Sequence, residues 1–149
     1  MKGVSGRHGT RPVLPSPILA ASAGLLATLM AAVAVIILLR GHNAPGGGFI
    51  GGLVGAGALV VIAYAFGVRK AQRLLRVHPV ALAGWGLALA LISGLPGLLG
   101  GVPYLTHLWG DIESEVGVLK VGTTYVFDLG VFLVVVGAVS AFFFLFEEN

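Results

Sequence analysis

The chain of 149 residues is 57% hydrophobic and 10% charged, holds 24 glycines and carries a formal net charge of +3. A soluble domain covers its surface with about a quarter charged residues, so a mean hydropathy of +1.00 excludes a water-facing globule, and the same apolar content excludes a disordered chain. The absence of cysteine removes disulfides, thiolate metal sites and iron–sulfur ligation, while basic residues confined to short segments between apolar runs read as membrane topology and not as a nucleic-acid surface.

A helix rises about 1.5 Å per residue and the bilayer core is about 30 Å thick, so the uncharged runs predict an all-α membrane protein with four transmembrane helices. Residues 1–16, basic and proline-bearing, form a tail. Residues 17–146 form the membrane domain, with spans at about 17–39, 49–68, 80–102 and 123–146, and residues 147–149 end the chain. The first run is longer than the roughly 7–15 apolar residues of a signal peptide and is read as retained. Pro17 suits its first turn, where a missing N–H costs nothing.

Arg40 closes that span, and the segment from Gly41 to Gly48 turns the chain. After the second span comes a compact basic loop, Arg69 to Arg76. The third span contains Pro96, which should kink or end its helix. Residues 103–122 hold Tyr104, Trp109, Asp111, Glu113, Glu115 and Lys120. Were residues 105–116 helical, His107, Asp111 and Glu115 would share a face able to hold a cation; the plainer reading is a solvated acidic loop that raises the local cation concentration. Lys2, Arg7, Arg11, Arg69, Lys70, Arg73 and Arg76 fall on one side of the predicted topology, against Arg40 and Lys120 on the other, so the positive-inside rule puts both termini in the cytoplasm.

Gly46, Gly48 and Gly51 spell G-x-G-x-x-G, but no strand precedes them and no acid follows at the required distance, so the match carries no dinucleotide site. Its meaning is steric. Gly47, Gly51 and Gly55 recur every four residues, and Gly48, Gly52 and Ala56 line the adjacent strip, two small-residue faces that admit close helix approach. They serve either packing within the chain or docking onto a different polypeptide. His42 and Asn43 sit at the membrane boundary, where they either satisfy the turn's own backbone groups or, for His42, relay protons.

Asp128 is the acid inside an apolar run, a placement that costs roughly 2.5–3.5 kcal/mol at a helix centre. Thr124 and Tyr125, four and three residues earlier, are expected to bring hydroxyls to its carboxylate. Two readings stay open: a cation- or proton-handling carboxylate, or one hydrogen-bonded at an interface with a neighbouring polypeptide. Gly130 points nearly opposite Asp128 and, with Gly137 and Ala141, forms a second small strip on the last span.

The segment Gly41-His42-Asn43-Ala44-Pro45-Gly46-Gly47-Gly48-Phe49-Ile50-Gly51-Gly52-Leu53 resembles the signature of the MnhB-domain family of Mrp (Mnh) type multisubunit sodium/proton antiporters, a domain shared with membrane-bound hydrogenase subunits. The stretch from Val121 to Gly137, with Phe127-Asp128 followed by Leu129-Gly130, looks like the family's last span. The resemblance runs from about Ser16 onward, loosens between His107 and Lys120, and implies a small companion protein in a hetero-oligomeric complex. Its larger partners, similar to the antiporter-like subunits of respiratory complex I, carry most of the proton-conducting machinery. It also implies Na+ and H+ as the transported ions, other antiporter subunits and the lipid bilayer as partners, and a bacterial or archaeal cell membrane as the location. A hydrogenase-like complex and a stand-alone homodimeric transporter are the rival readings; small multidrug transporters keep an acid in their first span, and residues 17–39 have none. With no nucleophile motif or metal triad in the spans, neither an enzyme nor a cofactor or metal site is expected.

Overall fold

The computed structural model describes residues 16–41, 46–101, 103, 109–114 and 117–147, and of residues 109–121 the backbone. Four apolar helical stretches are long enough to cross a membrane, at Pro17–Arg40, Gly47–Phe66, Val68–Leu99 and Thr123–Phe146. Helix α1 (Pro17–Arg40) begins where the Ser16 hydroxyl accepts a hydrogen bond from the Leu19 N–H at 3.2 Å, with Pro17 in the first turn. Its 24 residues span about 36 Å, enough for the hydrocarbon core. Helix α2 (Gly47–Phe66) starts after Gly46, whose φ of 91° only glycine adopts without strain.

The third stretch is not one straight helix. Helix α3 (Val68–Leu75) is short and basic. It ends at Arg76, and α4 (Pro79–Ile92) follows with Pro79 in its first turn. The helix stops at Ile92, ahead of Pro96, and resumes as α5 (Leu95–Leu99) with that proline in its first turn, where the lost N–H is harmless. Residues 109–114 form a strand and not a helix, so Asp111 does not share a helical face with His107 and Glu115, which lie outside the described residues. Strand β1 (Trp109–Ser114) pairs antiparallel with β2 (Gly117–Gly122), Asp111 opposite Lys120, and β2 runs into α6 (Thr123–Glu147). Alternation and paired turn glycines are faint here, so the hairpin is the element least visible in the amino-acid order.

The spanning helices pack as an open row, α1 against α2, α2 against α6, and α6 against α4. Its interior is made of small residues: Ala23, Ala27 and Ala34 of α1, Gly47, Gly48, Gly51, Gly52 and Ala56 of α2, and Gly86 and Ala90 of α4 are buried. Large apolar side chains such as Leu25, Ile36, Phe49, Trp85 and Phe142 face outward. That inversion suits a lipid or protein surround, where apolar side chains gain nothing by turning inward and backbone proximity supplies the packing.

Candidate functional site

The two family-like blocks of sequence meet at one place, where the end of α1, the start of α2 and the first turns of α6 converge. A Cβ on Gly41 would lie 2.6 Å from the Gly47 Cα and 3.0 Å from Asp128 Oδ2. A Cβ on Gly48 would overlap the Asp128 carbonyl and come 3.1 Å from its Cα. Gly41, Gly47 and Gly48 thus form a cradle in which any side chain collides with backbone, and Asp128 is the residue it holds. Gly47 and Gly51 face α1, where a Cβ on Gly51 would lie 2.9 Å from the Ala34 carbonyl, while a Cβ on Gly52 would lie 2.8 Å from Val135 Cβ of α6 and one on Gly55 3.4 Å from the Phe132 ring and Val136 of α6.

Asp128 is half-buried, five residues after the start of α6, which places it about 7–8 Å along the helix axis and nearer the membrane boundary than its centre. At that depth the burial cost falls well below the mid-membrane figure. The unpaired N–H groups and partial positive charge of the α2 N-terminus lie beside it, since Gly48, in the first turn of α2, touches the Asp128 backbone. Asp128 and Tyr125 each engage in an interaction within the chain. Thr124 departs from expectation: its hydroxyl is buried and finds no hydrogen-bond partner among the described residues, so it does not support the carboxylate. His42, Asn43 and Pro45, the polar and proline positions of the turn, lie outside the described residues.

The opposite side of α6 carries the second strip. A Cβ on Gly130 would come 2.7 Å from the Ala90 N and 2.8 Å from the Gly86 carbonyl, and one on Gly137 would come 2.6 Å from both the Ala83 N and the Pro79 carbonyl. Gly130 and Gly137 therefore seat α4, while Asp128 looks toward α1 and α2. Phe49 is half-exposed on the outer side of α2 and takes no part in the cradle. Two features escape a reading by motif. Phe132, one turn after Asp128, lays its ring across the positions of Gly51 and Gly55, 3.5 and 3.4 Å from where their Cβ atoms would be; its i, i+4 relation to Asp128 is the available signal. The basic loop folds into α3 and lines a cavity of about 700 Å³ against the far end of α6.

Chemically, a carboxylate gripped by backbone near a membrane boundary can bind a hard monovalent cation or a proton, or anchor a neighbour. Among the described residues no cluster of three or more His, Cys, Asp and Glu side chains is placed to hold a metal ion.

Residues 18–141 match the family described as "Domain related to MnhB subunit of Na+/H+ antiporter". The chain is 42% identical over 102 residues to the B subunit of the Na(+)/H(+) antiporter of Bacillus subtilis (strain 168), covering 68% of this chain and 71% of that protein. It is 35% identical over 107 residues to the A/B subunit of a probable K(+)/H(+) antiporter of Rhizobium meliloti (strain 1021), covering 71% of this chain and 11% of that much longer protein. Among solved structures it is similar to a chain of the Mrp complex from Dietzia sp. DQ12-45-1b, with a TM-score of 0.71 and 29% identity over 95% of this chain, a region that makes up 15% of the Dietzia chain. The glycine cradle and the acid it holds lie within the matched region, which takes in all four apolar helices except Pro17 and the end of α6, and the chain belongs to the family of multi-pass membrane domains related to the MnhB subunit of Na+/H+ antiporters.

Proposed function

We propose that this chain is an accessory component of a multisubunit monovalent cation/proton antiporter in a bacterial cell membrane, packing against larger antiporter-like subunits and supporting sodium efflux coupled to proton uptake. The observation that carries the reading is the convergence of Gly41, Gly47 and Gly48 on Asp128, because these residues belong to the two segments by which the chain resembles MnhB-type antiporter subunits. The open row supports a companion role: α1 and α4 end it with outward apolar faces that no described residue covers. The domain also forms a small part of longer chains, 11% of the Rhizobium protein and 15% of the Dietzia chain.

In this reading the chain carries no catalytic chemistry, and Asp128 with its cradle acts as a packing and anchoring point. Thr124 then helps to shape the boundary at which that point meets a neighbour. Both termini lie in the cytoplasm. The test is affinity purification of the tagged full chain in mild detergent, followed by dye-quench assays of the reconstituted eluate with Na+ and with K+. Co-purified large multispan subunits and Na+-driven proton movement that the chain alone lacks are the expected result. A homodimer that exchanges ions by itself overturns the reading, and iron–sulfur polypeptides in the eluate reassign the chain to a hydrogenase-like complex.

A further inference from the structure

We propose that the cavity between α3 and the end of α6 is a binding site for the headgroup of an anionic phospholipid. Arg69 and Arg73 are four residues apart and share one face of α3, Arg76 is the left-handed residue that ends the helix, and all three line the cavity together with His78. Residues 67–80 contain no acid to balance them. Like charges gathered on one helical face repel each other until an anion arrives. Arg76 holds a φ of 60°, a backbone state rare for a residue with a side chain, and its N–H donates to the Gln72 carbonyl at 3.2 Å, so the turn that presents this third arginine is fixed.

The other wall is apolar, with Val80 and Phe144 among its lining residues. Helix α3 is about 12 Å long, far too short to cross a bilayer, and it joins two spans, so it lies at headgroup level. It is docked there: Ala71 is fully buried and packs in one cluster with Ala63 of α2 and Phe144 of α6. A rigid basic face above an apolar wall at the membrane surface matches a phosphodiester with the first methylenes of its acyl chains, because guanidinium groups grip phosphate oxygens through paired N–H donors. A free phosphate would leave the apolar wall unused. The acids that follow in the sequence are Glu147 and Glu148.

Native mass spectrometry of the full chain in detergent tests the site, with phosphatidylglycerol, phosphatidylcholine of the same acyl chains and inorganic phosphate as probes. One phosphatidylglycerol should stay bound at energies that strip phosphatidylcholine, and Arg73→Gln or Arg76→Gln should each weaken retention about fivefold. Lys70→Gln is the charge-matched control. Its ammonium sits 4.0 Å from the centre of the Phe66 ring and does not line the cavity, so retention should not change. A rise in thermal midpoint with phosphatidylglycerol but not phosphatidylcholine gives a second reading on the parent chain. Equal loss in Lys70→Gln and Arg73→Gln, equal retention of the two lipids, full displacement by inorganic phosphate, or lipid binding that appears only in a Glu147→Gln, Glu148→Gln chain each overturns the proposal. None of these outcomes bears on the antiporter reading, which rests on the other end of α6.

Discussion

At the residue scale the cradle around Asp128 sets two opposed substitutions. Alanine is favoured over glycine in a helix interior by about 1 kcal/mol, yet at Gly48 the added methyl would collide with the Asp128 backbone. Overpacking against atoms that cannot rotate away costs about 1–3 kcal/mol. Gly48→Ala should therefore lower the thermal midpoint of the detergent-purified chain, whereas Gly84→Ala, with no atom within 4 Å of the new methyl, should leave it unchanged or raise it. The same geometry bears on Asp128. Asparagine keeps the size of the carboxylate and one acceptor oxygen while removing the charge, so Asp128→Asn should assemble and retain antiport within about fivefold, the effect of roughly 1 kcal/mol. Asp128→Leu, which strips the polar contacts, should fail to co-purify with its partners. An assembled but inactive Asp128→Asn complex, seen by dye-quench assay, would move the carboxylate onto the ion path.

At the scale of elements, the glycine spacing marked two small-residue strips on α2 without saying which helix each would meet. A period near four places Gly47 and Gly51 on one face and Gly48 and Gly52 on the next, and the structure seats α1 on the first and α6 on the second. Gly130 and Gly137, opposite Asp128, receive α4 by the same logic. What the spacing could not give was the destination of the Thr124 hydroxyl, because a shared helical face brings side chains near each other without orienting them, and here the hydroxyl stays unpartnered among the described residues. The hairpin escaped for a different reason: two six-residue strands outside the membrane lack the long uncharged run that marks a span. Gly137→Val tests the α4–α6 seam. Branched bulk 2.6 Å from the Pro79 carbonyl must push α4 away from α6. The connection bearing Arg69, Arg73 and Arg76 should loosen with it, and trypsin should cut there several-fold faster than in the parent chain.

At the scale of the whole molecule, the row of four spans has its two polar ends at opposite membrane faces. Asp128 lies near the start of α6 and Phe144 near its end, sixteen residues later, so the cradle and the arginine cavity are separated by about 24 Å along the helix. The charge bias predicts the sides. Seven lysines and arginines on the tail and the α2–α4 connection, against Arg40 and Lys120 elsewhere, favour the cytoplasm for the tail and the arginine cavity. On that prediction the cradle and the hairpin face outward. A chain without cysteine makes this directly measurable, since single cysteines can be introduced without removing any. Ser114→Cys, the last residue of β1 at the hairpin turn, should react with a membrane-impermeant maleimide in intact cells. Ser5→Cys in the tail should react only after permeabilisation. The reverse pattern would put the arginine cavity on the outer leaflet and the cradle on the cytoplasmic side, and would mean that contacts with larger partners, and not the chain's own arginines, decide its orientation.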